Sequence, residues 1–188
     1  MGHPGPKYVS FEEYLVSEAN DPSGVRHEWV DGVAYAMSGA SPEHARLCIA
    51  VSAELRAALR GRCTVHDGSL AIHIPTTRAG LRPDVSVVCG PLVKTVVQKD
   101  EKVQGEAVTN PCVLVEVLSD STERDDRSWK ARDYRAIASL EVYILVSQHE
   151  RQIEIFRRGN AWAREEARAG ETFEVRGATL AVDAIYDE

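Results

Sequence analysis

Apolar positions along this chain recur with two periods, and the change from one period to the other marks out its elements. Ser10 precedes Phe11-Glu12-Glu13, an N-cap followed by acids in the first turn, which predicts a helix over residues 10–19. Residues 26–37 alternate on both sides of Asp31-Gly32, the strongest short-range hairpin signal, and read as two strands. Ser41-Pro42-Glu43-His44 opens a long helix, with Ser41 as N-cap and Pro42 at the first helical position. Its apolar residues Leu47, Ile49, Val51, Leu55, Ala58 and Leu59 keep near-helical spacing, and Gly61 ends it. Short strands are expected at 63–66 and 70–74, around Asp67-Gly68. Arg82-Pro83 leads into an apolar strand over 84–89 that begins on an acid, whereas 94–109 reads as a polar, irregular excursion. Residues 112–118 form a continuous apolar run broken only by Glu116, the pattern of a central strand covered on both faces. A helix over 122–137 follows, with Thr122 as N-cap and Asp125 completing a weak capping box. Strands at 142–146, 151–158, 173–175 and 179–182 complete the chain. Helix, strands, helix, strand is the order of an α/β (α+β) sandwich around a mixed sheet.

Composition narrows the class. A chain of 188 residues with 44% hydrophobic content fits one domain with a real core. Residues 1–9 are expected to form a flexible tail, Gly- and Pro-rich over Met1–Lys7, and 10–188 a single domain. No apolar run approaches the ~20 residues of a membrane span, and no secretory leader is visible, so a cytoplasmic location is expected. Cys48, Cys63, Cys89 and Cys112 never form a CxxC and sit in helix or strand segments. They are expected to be reduced core thiols rather than a disulfide set or a zinc site. A net charge of −7 and a pI near 5.4 argue against a broad electrostatic nucleic-acid binder. They leave room for a local basic patch beside an acidic site.

The chemistry starts from Glu116. An ionised carboxylate inside an aliphatic run is costly unless it is paired or binds a cation. Asp84, at the head of Asp84-Val85-Ser86-Val87-Val88, raises the same question. Two carboxylates on neighbouring central strands make an oxygen-rich pocket suited to a hard cation such as Mg²⁺. The alternative is an Arg partner for Glu116 and a turn-capping Asp84. In the helix that follows, Arg127, Lys130 and Tyr134 are spaced to share one face, where a lysine can orient water and offset phosphoryl charge. Interleaved Glu123, Asp125, Asp126 and Asp133 equally fit an ordinary solvated face.

A series of motifs in fixed order then becomes familiar. They are Phe11-Glu12-Glu13-Tyr14-Leu15, His27-Glu28-Trp29-Val30-Asp31-Gly32, His44, Arg82-Pro83-Asp84-Val85-Ser86-Val87-Val88, and Leu114-Val115-Glu116-Val117-Leu118-Ser119. Ser121-Thr122, Asp126 with Lys130 and Tyr134, and Glu141-Val142-Tyr143-Ile144-Leu145-Val146 complete the series. Over nearly its whole length the chain resembles the Uma-type restriction endonuclease family, a bacterial group within the PD-(D/E)XK nuclease superfamily. The resemblance implies a restriction endonuclease-like mixed sheet flanked by helices, with Asp84 after Pro83 as the first acid and Glu116 as the second. The superfamily pattern expects lysine two residues after that acid, where this chain has Leu118; the family's following helix supplies Lys130 instead. Glu28 is implied as a further acid near the metal, and His44 matches the family's helix histidine without an assigned role. Ser147-Gln148 stands where relatives carry a turn-forming Asp.

The function these readings lead to is DNA phosphodiester hydrolysis by a homodimer. Mg²⁺, or Mn²⁺, would be held by Asp84, Glu116 and the Val117 carbonyl, with Lys130 beside the attacking water. Arg124 and Arg127, with Tyr134, are the expected DNA contacts. Two other readings stay open: a catalytically idle binding module on the same fold, and a metal-dependent enzyme acting on RNA or a nucleotide.

Overall fold

A computed structural model describes residues 8–187. Helix α1 (Phe11–Asn20) starts at a reciprocal cap: Glu13 N–H donates to the Ser10 hydroxyl, and Ser10 N–H donates to the Glu13 carboxylate. The hairpin of β1 (His27–Val30) and β2 (Val33–Ala36) turns on Asp31 and Gly32, both at positive φ. Helix α2 (Pro42–Ala58) is capped by the Ser41 hydroxyl, which accepts from His44 N–H. Strands β3 (Thr64–Asp67), β4 (Ile72–Ile74), β5 (Ala79–Leu81), β6 (Val85–Val88), β7 (Lys94–Lys99), β8 (Lys102–Val108) and β9 (Val113–Val117) follow. A composite helix comes next, made of α3 (Glu123–Asp125), a π-helical turn (Asp126–Lys130) and α4 (Ala131–Arg135). The chain ends with β10 (Val142–Val146), β11 (Gln152–Arg157), β12 (Arg164–Arg168), β13 (Thr172–Val175), β14 (Ala178–Ala181) and α5 (Val182–Tyr186).

The strands form two six-stranded sheets and one small hairpin. The first sheet runs β2-β1-β5-β4-β8-β7 and the second β12-β11-β10-β9-β6-β3. Each is mixed: β4 with β8 in the first and β9 with β10 in the second are parallel pairs, and the other pairings are antiparallel. The second sheet is covered on both faces, which is why β9 reads as an apolar run broken only by Glu116. On one face Leu47, Val51 and Leu55 of α2 pack on Val85, Val87, Val113 and Val115. On the other, Tyr134, Ile137 and Leu140 pack on Leu114, Tyr143 and Leu145. Each fully buried aliphatic side chain in these layers contributes about 1.5–3 kcal/mol.

Several expectations need correction. The excursion over 94–109 is the β7–β8 hairpin, whose outer valines, Val96 and Val103, are exposed and so leave no core signal. The first seven residues of the expected tail lie outside the described residues, but Val9 is anchored. Its N–H donates to the Gly32 carbonyl at 2.8 Å, and its carbonyl accepts from the Trp29 indole at 2.8 Å. Thr122 makes no side-chain cap bond, because the helix opens with a short turn and passes at once into the π-helical turn. The thiols are not all reduced: Cys63, just before β3, and Cys89, just after β6, form a disulfide, because the antiparallel register of those strands places them side by side. Cys48 and Cys112 are free.

Candidate active site

The antiparallel register that pairs Val85 with Val115 sets Asp84 beside Glu116 one step further along. Their backbones and carboxylates interlock: Asp84 N–H donates to Glu116 Oε2 at 3.1 Å, and Val117 N–H donates to Asp84 Oδ2 at 2.7 Å. Glu116 is 3% exposed, and its other oxygen accepts from the Tyr134 hydroxyl at 2.7 Å. Lys130 Nζ lies 3.2 Å from Glu28 Oε1, 3.3 Å from Asp126 Oδ1 and 3.6 Å from Glu116 Oε1, and is 6% exposed as a residue. Glu28 comes from the first sheet and is held by Arg82 N–H at 3.1 Å. Arg82 is itself fixed by Glu18 at 3.1 Å and by the carbonyls of His27 and Ser69. The segment from β5 to β6 thus joins the two sheets at the site, and Pro83 removes a backbone donor there.

His44, in the first turn of α2, bridges the remaining groups. Its Nε2 is 3.2 Å from Asp84 Oδ2, and its Nδ1 is 3.4 Å from Cys48 Sγ. Glu28, His44, Arg82, Asp84, Glu116, Asp126 and Lys130 line a cavity of about 770 Å³, with Tyr35, Met37 and Trp129 at its wall.

Four carboxylates (Glu28, Asp84, Glu116, Asp126) therefore surround one ammonium and one imidazole. Burial, together with Asp84, Asp126 and Glu28, pushes the Glu116 carboxyl well above the usual carboxylate range, and Lys130 only partly opposes it. Burial also raises Asp126, again opposed by Lys130. Burial alone would lower Lys130, but Glu116, Glu28 and Asp126 outweigh it and hold the ammonium charged. The hydrogen bond to Asp84 raises His44. A divalent ion held beside these carboxylates would add the positive charge that one ammonium and one imidazole do not fully supply. Asp84, Glu116 and the Val117 carbonyl fit such an ion by donor chemistry: hard oxygens, two of them ionisable.

The structure brings together Asp84, Glu116, Val117, Lys130, Glu28 and His44. It places the expected DNA contacts elsewhere. Tyr134 is fully buried and orients Glu116. Arg127 turns away to Glu154 on β11, in two bonds of 2.8 and 2.9 Å, and to Glu123. The π-helical turn explains this, since it adds a residue to the helical repeat and brings Asp126, not Arg127, to Lys130's side. Arg124 is exposed and does not line the cavity. Asp126, which belongs to the motif series without an assigned role, and Cys48, which belongs to none of its motifs, also stand in this group, at i,i+4 spacing from Lys130 and His44.

A nuclease-like α+β fold with a paired-acid site at one end of its second sheet is the class these features define. The chain belongs to the Uma2 family, described as "Putative restriction endonuclease", whose model matches residues 11–183. Two relatives come from Synechocystis sp. (strain ATCC 27184 / PCC 6803 / Kazusa). "Uncharacterized protein slr1290" is 36% identical over 188 residues, covering 97% of this chain and 93% of that one. "Uncharacterized protein sll1609" is 28% identical over 153 residues, covering 81% and 82%. A solved structure described as "a putative nuclease belonging to DUF820" from Anabaena variabilis ATCC 29413 matches with a TM-score of 0.71. It is 12% identical and covers 95% of this chain and 97% of that one, so it shows the fold. No helix among the described residues is long and apolar enough to cross a membrane.

Proposed function

We propose that this protein is a Mg²⁺-dependent endonuclease, with Mn²⁺ able to substitute, that hydrolyses phosphodiester bonds in DNA. The observation that carries this reading is the interlocked pair Asp84 and Glu116 with Lys130 Nζ 3.6 Å from Glu116. The family's description and the nuclease description of the Anabaena protein support it. Asp84, Glu116 and the Val117 carbonyl would hold the ion, which supplies an acidified water and neutralises charge on the scissile phosphate. Lys130, kept charged by Glu28 and Asp126, positions that water or meets the developing phosphoryl charge. Tyr134 holds Glu116 in one orientation, so the acid enters the reaction pre-positioned. Exposed Arg124 remains the candidate phosphate contact, and a homodimer would bring two such sites to the two strands of a duplex.

The test is cleavage of supercoiled and linear DNA under Mg²⁺ and Mn²⁺, with RNA and nucleotides run in parallel, by wild type and Glu116→Gln. Nicking by wild type that Glu116→Gln abolishes, with an unchanged circular dichroism spectrum, is the expected result. Equal activity in the two proteins would overturn the assignment.

One observation favours a second reading, an idle binding module. Arg82 and Lys130, the Lys and Arg residues lining the cavity, are both locked into ion pairs with buried acids. Metal-independent DNA binding that survives Glu116→Gln, without cleavage by either protein, would select it.

A further inference from the structure

Helix α2 delivers more to Asp84 than the hydrolytic reading uses. His44 and Cys48 lie one turn apart on the same helix face, and one ligand atom of each lies within 4.8 Å of the other and of a carboxylate oxygen of Asp84. The imidazole spans the two, with Asp84 Oδ2 at Nε2 and Cys48 Sγ at Nδ1. Cys48 does not line the cavity, so this group lies in the cavity wall at the start of α2, with Asp84 standing between it and Glu116. Its donors differ in kind from those of Glu116 and Val117. Imidazole nitrogen and thiolate sulfur are ligands of zinc-class ions, whereas Mg²⁺ takes oxygen.

We propose that His44, Cys48 and Asp84 form a second cation site, selective for a Zn²⁺-class transition ion, that shares Asp84 with the oxygen-ligated site. An ion bound there replaces the hydrogen-bonded bridge, keeping one imidazole nitrogen, the Cys48 sulfur as thiolate and one Asp84 oxygen as ligands. Binding releases the thiol proton to solvent and involves no redox step. With three protein ligands and a position left for water or substrate, the donor count is that of an open zinc site rather than a closed structural one. The bridging Asp84 would make occupancy of one site felt at the other. The inference needs only the geometry around Asp84; the hydrolytic reading stands or falls on Glu116.

Co²⁺ is the probe, because a cobalt–thiolate bond gives a charge-transfer band in the near ultraviolet that oxygen ligands do not give. Metal-free full-length protein is titrated anaerobically with Co²⁺ alone, and Zn²⁺ is then added as a competitor. The expected result is a thiolate band that Zn²⁺ removes, Mg²⁺ in large excess leaves, and Glu116→Gln retains. Cys48→Ser should lose the band, and His44→Gln should weaken Co²⁺ binding by roughly tenfold or more. Both variants are chosen to keep side-chain size and fold; thermal melts in chelator check this. Co²⁺ binding without a thiolate band, abolished by Glu116→Gln and unchanged in Cys48→Ser, would overturn the proposal and leave the hydrolytic reading intact. Absence of binding of Co²⁺, Zn²⁺, Mn²⁺ and Mg²⁺ to wild type would overturn both.

Discussion

Replacing Lys130 by methionine removes one buried charge at nearly constant volume, and its consequences follow from three distances. Nζ stands 3.2, 3.3 and 3.6 Å from carboxylate oxygens of Glu28, Asp126 and Glu116. At an effective dielectric constant of ~20, each such pair is worth about 5 kcal/mol before desolvation. Taking an ammonium out of water costs several kcal/mol, and the carboxylates repel one another whether or not the lysine is present. What remains on removing one partner of a buried ionic cluster is a loss of about 3–5 kcal/mol. A domain stabilised by about 5–15 kcal/mol survives that, which is the reason to choose methionine over alanine and its added cavity.

The pH dependence separates this mechanism from simple loss of packing. Lys130 holds the raised Glu116 and Asp126 carboxyls down, so without it both rise further. An acid whose folded pKa lies above its unfolded one binds more protons in the native state, so stability falls as pH rises through that interval. The native variant therefore binds more protons than wild type, and its deficit grows as pH rises above the ordinary carboxylate range, where the acids must ionise without their counter-charge. Urea unfolding followed by tryptophan fluorescence in chelator measures the difference. With a slope of ~2 kcal/mol per molar urea, the midpoint should drop by about 1.5–2.5 M at a pH above the carboxylate range. A loss under about 1 kcal/mol, or one that does not change with pH, would refute the picture of one lysine balancing three acids.

Four further outcomes are expected. Saturating Mn²⁺, at about 100 times its dissociation constant, should stabilise wild type by about 2.7 kcal/mol, and Asp84→Asn/Glu116→Gln should gain little in the same melt. In chelator, the stability of wild type relative to Glu116→Gln should fall with rising pH through the range of the raised Glu116 carboxyl, the sign just worked out. Cys63→Ser/Cys89→Ser should lose about 3.5 kcal/mol in urea titration, from opening a loop of sequence separation 26. The double variant is needed because Cys112 Sγ lies 3.2 Å from Cys89 Sγ and offers a second pairing. Arg127→Ala should cost about 1 kcal/mol, because its side chain is 37% exposed and Arg164 still pairs with Glu154 at 2.8 Å. It should leave any DNA affinity within twofold of wild type by fluorescence anisotropy, about 0.4 kcal/mol or less; a tenfold loss would return Arg127 to the substrate surface.

The parts of the site that can be read from the chain are those where a residue violates its surroundings. Glu116 inside Val113–Val117 stands out because a buried carboxylate among valines needs a partner, and the strand register then supplies Asp84. The lysine can be placed on the following helix because both lie at the carboxyl end of β9. What cannot be read depends on geometry that leaves no compositional trace. The π-helical turn widens the helical repeat, so Arg127, which regular i,i+3 spacing would put on the Lys130 face, turns to Glu154, while Asp126 at i,i+4 stays beside Lys130. The β7–β8 hairpin sends only Gly105, Ala107 and Val108 fully into the interior and leaves Val96 and Val103 exposed, so its apolar alternation is too weak to detect. The disulfide joins residues that become neighbours only once β3 and β6 are paired, a long-range fact that cysteine spacing does not encode.

That pairing also bears on how the acids are held together. Strand β6 begins next to Asp84 and ends next to Cys89, while β9 begins next to Cys112 and carries Glu116 near its end. Because the two run antiparallel, the acids meet at one end of the sheet and the sulfurs at the other. A slip of one residue between β6 and β9 would turn Glu116 to the α2 face, against Leu47, Val51 and Leu55, an aliphatic surface that offers it no counter-charge. The crossed bonds between Asp84, Glu116 and Val117 limit such a slip, while the tether from Cys89 to Cys63 fixes β6 against β3 on its other side. The carboxylates repel and would part if the strands were free to move. Their closeness is imposed by register, with Lys130 as the resident counter-charge, and on the proposed reading a divalent ion would neutralise the negative charge that remains.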